Sequence, residues 1–213
     1  MSDERFDFDG GDLSLDFANT NEWHASQHPL EHLGGFDDLV DWGEAAGLID
    51  AARASELHDL ASQRPAEAAQ SYAQAISLRE AIYRIFSAQY RRDRVSPEDL
   101  QILNNTLSSS LSHLQVAHNP QGFSWKWRQD PDAFGQVLWP IARSAADLLT
   151  SGRLDRVREC EDDRGCGFLF IDTSRNRSRR WCSMESCGNR AKAKRHYARA
   201  SKSGAGVESR IQH

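Results

Sequence analysis

The four cysteines of this 213-residue chain all lie in its last third, and their spacing constrains the fold more than any other feature. They follow the pattern C-x5-C-x15-C-x4-C, as Cys160, Cys166, Cys182 and Cys187. Two close pairs joined by a medium loop are typical of a tetrahedral zinc site, because each pair supplies two thiolates from one turn. We therefore predict one structural Zn²⁺ bound by all four, with no coordination position left for a catalytic water.

Other interpretations of the cysteines stay open: two disulfides or a redox switch, an iron–sulfur cluster, or unrelated core thiols. Disulfides are rare in the cytoplasm, which is the location we expect. The acidic start of the chain lacks the apolar run of a signal peptide, and no apolar stretch reaches the ~18 residues of a membrane helix. We expect no membrane partner.

The residues around the cysteines predict a small treble-clef-like finger. Residues 168–171 have the composition of a strand, and residues 179–181 return toward the second cysteine pair. Cys187 then opens a helix that carries the basic residues that follow it. The predicted arrangement is a hairpin between the two ligand pairs, followed by a helix that holds the last ligand.

Hydrophobic periodicity predicts an α+β, mostly α fold in which a helical N-terminal domain with small β-hairpins precedes the zinc finger. Helices are expected over about 37–48, 67–91, 97–114 and 131–150, and a hairpin over 115–128. Residues 6–17 fit a hairpin, or a strand leading into a short helix. We place the domains at 1–151 and 152–201, and a mobile polar tail at 202–213.

Charge is divided unequally between the two predicted domains. Residues 151–213 hold 15 Lys or Arg against 8 Asp or Glu, whereas residues 1–150 hold 11 against 23. An acidic body joined to a basic module indicates that the module meets a polyanion. A solvated cationic helix face is the alternative, but the arginines between the cysteine pairs add to the same surface and favour nucleic acid.

We predict that the finger binds double-stranded DNA, with phosphate contacts from the loop and base contacts from Arg190 and Lys194. The predicted DNA-binding residues are Arg175, Arg177, Arg179, Arg180, Arg190, Lys192, Lys194, Arg195 and Arg199.

The segment CGFLFIDTSRNRSRRWCSMESCGNRAKAKRHYAR resembles the CGNR zinc finger, which is named for the residues found here at 187–190. The N-terminal part resembles the ABATE domain in four motifs: GGDLSLDFANT, LVDWGEAAGLI, LREAIYRIF and WPIARSAADLLTS. The resemblance covers nearly the whole chain and implies a bacterial protein that regulates transcription in response to stress. The five residues between the first two cysteines are more than in compact members of the family.

The ABATE resemblance also implies a sensor domain. Asp16, Asn19 and Thr20 are polar residues beside an apolar run, and with Arg79 they could line a small-molecule pocket. The alternative is that they cap a helix and do nothing more.

The function that we predict is a one-component transcription regulator. Its N-terminal domain would sense an effector or form a homodimer, and its finger would bind DNA. A zinc-finger adaptor for an acidic protein partner is the alternative. We expect no enzyme activity, because no nucleophile elbow, phosphate loop or dinucleotide fingerprint is present.

Overall fold

The computed structural model describes residues 5–128 and 130–194, which form α-helices and two-stranded antiparallel sheets. The helices are α1 (Leu13–Ala18), α2 (Phe36–Ala45), α3 (Ala51–Gln63), α4 (Pro65–Arg91), α5 (Pro97–Leu111) and α6 (Leu138–Leu149). The strands are β1 (Asn21–Glu22), β2 (Leu30–Glu31), β3 (Leu114–Asn119), β4 (Gly122–Trp127), β5 (Val157–Glu159) and β6 (Leu169–Ile171), paired in that order. The predicted α+β, mostly α class is confirmed. No helix among the described residues has the length and apolar character needed to cross a membrane.

The longest helix, α4, is the centre of the fold. It lies against α1, α2, α3, α5 and both strands of the β5–β6 hairpin. Leu78, Ile82 and Phe86 recur at helical spacing and are fully buried. Burying each of these side chains contributes about 1.5–3 kcal/mol, so this one stripe holds much of the core together. The predicted helix over 67–91 is confirmed.

Local sequence signals set the ends of some helices but not of others. Ser96 caps α5 by accepting hydrogen bonds from the backbone N–H groups of Glu98 and Asp99. The N-cap of α2 is Gly35, which makes no side-chain hydrogen bond. Asp37 and Asp38 lie in the first turn, where their negative charge interacts favourably with the helix dipole.

Of the two alternatives predicted for residues 6–17, the short helix is found: residues 13–18 form helix α1, with Asp12 as its cap. Other elements differ from the expectations. The sequence reading missed α3 and the short β1–β2 pair. The last helix of the N-terminal part begins at Leu138, after a short 3-10 helix, so its predicted start near residue 131 is wrong.

The β3–β4 hairpin is confirmed, with Val116 opposite Trp125 and His118 opposite Phe123. Large apolar side chains recur at every second residue of β4 and therefore lie on one face of the hairpin, because side chains alternate between the two faces of a strand. At the base, Trp127 lies 6.0 Å from Trp139 of α6 by ring centroids.

The β5–β6 hairpin is embedded in the core that the N-terminal helices form. Val157, Leu169 and Ile171 are buried in the same cluster as Leu15 and Phe17 of α1. The boundary near residue 151 stays a prediction, but apolar packing is continuous across it. The start of the cysteine-rich segment is therefore fixed against the helical body, and the predicted tail over 202–213 lies outside the described residues.

Candidate metal centre and nucleic-acid interface

The four cysteine sulfurs converge on one point. The Sγ atoms of Cys160, Cys166, Cys182 and Cys187 all lie within 4.8 Å of one another. The Sγ–Sγ distance is 3.7 Å from Cys166 to Cys182 and 3.8 Å from Cys182 to Cys187. Sulfurs at ~2.3 Å from a tetrahedral zinc are about 3.8 Å apart, so the cluster fits one Zn²⁺. All four cysteines are free of disulfides.

The chemistry of the thiols also fits a cation at their centre. Hydrogen bonds from Cys166 and Cys182 lower the pKa of Cys160. The hydrogen bonds that Cys166 and Cys182 make with Cys160 raise the pKa values of Cys166 and Cys182. Burial raises the pKa of Cys187. Four thiolates this close repel one another, so a divalent cation is needed for all four to ionise.

The cysteines lie in two separate segments: a turn that follows β5 holds the first two, and a helical turn holds Cys187. Cys160 directly follows β5, and its N–H donates to the carbonyl of Phe168 at 2.9 Å. Gly165 and Gly167 flank Cys166 with φ of 87° and 66°, so the first turn uses the conformational freedom of glycine twice. Cys187 lies in a five-residue π-helical turn, Met184–Gly188, which continues as helix over residues 189–194.

The expected hairpin between the ligand pairs is wrong. β6 pairs with β5, which precedes Cys160, and not with residues 179–181. Residues 179–181 contact the turn that carries the first two cysteines, residues 160–167, which we call the first knuckle. The contact is a backbone hydrogen bond in which the N–H of Glu161 donates to the carbonyl of Arg180 at 3.0 Å. Strand β5 is short and holds two charged residues, so its pairing depends on the core beneath it.

The first knuckle is docked on the N-terminal body. A Cβ placed on Gly165 would lie 2.6 Å from the carbonyl oxygen of Ala25, and one on Gly167 would lie 2.6 Å from the Tyr83 hydroxyl. Trp23 packs against the cysteine cluster. The guanidinium of Arg164 lies 4.8 Å from the centre of a Trp23 ring, and that of Arg190 lies 5.7 Å away.

The buried carboxylate of Asp172 holds the shape of the loop over residues 173–181, which we call the arginine loop. Asp172 is fully buried and accepts hydrogen bonds from the N–H of Ser174 at 2.8 Å and of Arg179 at 3.0 Å. Burial by itself would raise the pKa of Asp172, but these hydrogen bonds outweigh it and the pKa is lowered. No role was assigned to Asp172 from the sequence. An Asp two residues before a Ser is a turn signal that points to this role.

The predicted DNA-binding residues divide by exposure. Arg179 is half-buried, because its guanidinium donates to the carbonyls of Trp181 and Cys182 and lies 4.5 Å from the ring centre of Phe170. The predicted cations that are exposed within the described residues are Arg175, Arg177, Arg180, Arg190, Lys192 and Lys194. The predicted Arg195 and Arg199 lie outside the described residues.

Two of the exposed cations touch acidic residues of the same module. Arg180 pairs with Glu161 at 2.6 Å, and Lys194 pairs with Asp163. Pairs as exposed as these are worth at most about 1 kcal/mol, so a phosphate can displace them.

The four residues predicted to line an effector pocket are buried and bonded within the protein. The amide of Asn19 donates to the carbonyl of Leu169 and accepts from its N–H, both at 2.8 Å, which ties α1 to β6. The Thr20 hydroxyl donates to the carbonyl of Phe17, and Arg79 lies 3.4 Å from that hydroxyl. Arg79 binds both oxygens of Glu31 at 2.6 Å. The pocket stays a prediction, and these contacts give three of its residues structural roles.

Asp16, the fourth of these residues, accepts a hydrogen bond from the N–H of Gly10 at 2.8 Å. Burial raises its pKa to about 7, against the lowering effect of that N–H. A buried carboxyl with this pKa is protonated at pH 6. The free energy of unfolding therefore falls as the pH rises and the carboxyl ionises.

Comparison with protein families agrees with this arrangement. Residues 11–152 match the ABATE family, whose description reads "Putative stress-induced transcription regulator". The chain belongs to the ABATE family. Residues 156–200 match the CGNR zinc finger. A comparison with curated proteins finds no match.

The two matched regions of this ABATE protein meet at the docked knuckle. Trp23, Ala25 and Tyr83 lie in the ABATE region and contact the finger beside Cys166. Sequence reasoning missed all three, since a contact between distant segments leaves no local pattern. The positions of Gly165 and Gly167 beside a ligand were its only available signal.

Proposed function

We propose that this ABATE protein is a one-component transcription regulator that binds double-stranded DNA through its zinc finger. The observation that carries the proposal is the position of the exposed cations. Arg175, Arg177 and Arg180 lie within the seven residues before Cys182, and Arg190, Lys192 and Lys194 lie within the seven residues after Cys187. One metal therefore holds both groups in a fixed relation, which is the geometry that a phosphate backbone requires.

Within the helix, Arg190 and Lys194 lie one turn apart and share a side, and Lys192 lies on another. The contact between Arg190 and Trp23 adds a link to the body, which fixes the direction of that side chain. In the proposed complex the loop arginines contact phosphates, and the first turns of the helix approach the major groove.

The finger takes no catalytic part in this proposal, because four thiolates complete the zinc coordination sphere. The metal supplies folding free energy to a segment with little core of its own. The chain would act in the cytoplasm. Its N-terminal part would sense a small molecule and change the position of the docked finger.

The test is a gel shift of the zinc-loaded full-length chain on genomic fragments, repeated at increasing salt. If about five cations meet phosphates, log affinity falls with log salt at a slope of roughly −4 to −5. Arg175→Gln should reduce the magnitude of the slope by about one. Arg94→Gln, which removes an exposed arginine from the α4–α5 loop, is the matched control and should leave the slope unchanged.

Two results would overturn the proposal. One is no binding to any duplex at low salt by protein that contains zinc. The other is salt-sensitive binding to an acidic protein with none to DNA, which would show an adaptor.

A further inference from the structure

A cavity of about 770 Å³ lies between the first turns of α3, the end of β4 and the start of α6. Its size falls within the ~300–1,000 Å³ of small-molecule sites in proteins. It shares no lining residue with the cysteine cluster or with the four residues that the sequence predicted for an effector.

One wall of the cavity is aromatic, and Trp139 is held in place within it. Trp139 is only 6% exposed, and its ring stacks on His113 at a centroid distance of 4.0 Å and an angle of 11°. Trp127 lies beside it at 6.0 Å, and Trp125 adds a third indole to the lining. Fixed indole faces bind flat aromatic molecules with little loss of side-chain freedom.

The acidic residues of the cavity are already bonded within the protein. The Asp50 carboxylate caps α3 by accepting from the N–H of Arg53 at 2.9 Å. Glu56 pairs with the Arg53 guanidinium at 2.8 Å, and Asp130 accepts from the N–H of Asp132 at 3.2 Å. Arg53 is also committed, because it donates to the carbonyls of Asp130 and Pro131.

Two cations of the lining differ from these groups. Lys126 and Arg128 are exposed, and within residues 5–128 and 130–194 no hydrogen bond or ion pair of either side chain is found. They stand at the end of β4 beside Trp125 and Trp127. The charges of the lining residues sum to zero, but among the described residues Lys126 and Arg128 are its cations without an internal partner, so they can pair with an anionic group of a ligand.

We propose that this cavity is the effector site and that it takes a planar aromatic carboxylate. The ring lies against the indoles of Trp127 and Trp139, and the carboxylate pairs with Arg128 and Lys126. An arginine suits this role because its guanidinium can bind both oxygens of a carboxylate. The role as an effector rests on the proposed function, whereas the binding itself does not.

The test is equilibrium dialysis of the zinc-loaded full-length chain against benzoate, 1-naphthoate and anthracene-9-carboxylate. At least one should bind saturably with one site per chain, and its neutral alcohol analogue should bind about tenfold more weakly. Arg128→Gln should weaken carboxylate binding by about tenfold and leave the binding of the alcohol unchanged. Arg94→Gln, outside the cavity, should change neither.

The proposal fails if none of the three carboxylates binds saturably, if each alcohol binds as tightly as its acid, or if Arg128→Gln and Arg94→Gln bind alike. A gel shift in the presence of the bound carboxylate separates the two proposals. DNA binding without carboxylate binding sinks only the cavity assignment. Carboxylate binding without DNA binding keeps the site and sinks the regulator.

Discussion

A few residues where the N-terminal helices meet the zinc finger make contacts that their local sequence does not indicate. Gly165 is the sharpest case, because it combines a φ of 87° with a backbone neighbour where a Cβ would stand. Trp23, with a φ of 55°, presents its ring to two arginines of the finger. These positions connect the metal site to the helical body.

Gly165→Ala should destabilise the protein by about 2 kcal/mol, because the new methyl group meets the Ala25 backbone and the φ is unfavourable for alanine. Urea denaturation of zinc-loaded protein measures the change. Gly152→Ala is the control, since a Cβ there has no neighbour within 4 Å. Equal stability of the two variants would show that the knuckle is not docked on the body.

Asp16 makes a prediction about pH. Its pKa is raised to about 7 in the folded protein from 3.8, so the folded state binds the proton more tightly than the unfolded state. Its contribution to stability is therefore lost as pH rises from about 4 to about 7. Asp16→Asn removes this loss. Between pH 5.5 and 7 the variant should gain about 1–2 kcal/mol relative to the parent chain.

Urea denaturation at the two pH values measures that difference. A difference between variant and parent that is independent of pH would contradict the buried, protonated state of Asp16. Asp155→Asn, at an exposed site in the same chain, is the matched control and should show no pH-dependent gain.

At the scale of elements, the sequence predicted what local signals determine. Helix α5 begins at a serine cap followed by proline, and the β3–β4 hairpin alternates apolar residues around a turn. Both signals lie within a few residues, so both predictions are confirmed. The four cysteines also carry their own pattern, and the structure brings their sulfurs together.

The missed elements depend on contacts between distant segments. Helix α3 buries only Ala54 and Leu57, so its apolar stripe is too narrow to recognise. The partner of β6 was assigned wrongly because the position of β5 beside it is set by packing against the core, which no local sequence pattern shows. The aromatic cavity is built from α3, β4 and α6, and no single stretch of sequence contains it.

The arginine loop gives the prediction at this scale. Asp172→Ala removes the acceptor of two backbone hydrogen bonds, so the loop should lose its fixed shape while the cysteines still bind zinc. DNA affinity should fall by about tenfold even though the variant gains one unit of positive charge. Asp155→Ala makes the same change in charge at an exposed site and should not weaken DNA binding. Equal DNA affinities for the two variants, or a rise for Asp172→Ala, would contradict the role of the loop.

For the whole molecule, the body and the finger form one continuous packing arrangement. Strands β5 and β6 lie in the main core, and the first knuckle lies against the body near Trp23. An effector bound between α3, β4 and α6 could reach the finger through this core, since α3 contacts α4 and α4 contacts β5, while α6 contacts α1 and α1 contacts β6. Transmission of a signal would then be a shift in packing, and the two matched regions would not act as independent units.

The central claim is that one metal ion holds the loop arginines and the basic helix in a single DNA-binding surface. The most direct measurement is DNA affinity as a function of salt for the same protein before and after removal of zinc by a chelator. We predict a slope of roughly −4 to −5 with zinc and a loss of affinity of at least about tenfold without it, restored when zinc is returned. An affinity and a slope that stay the same after the metal has been removed would contradict the claim.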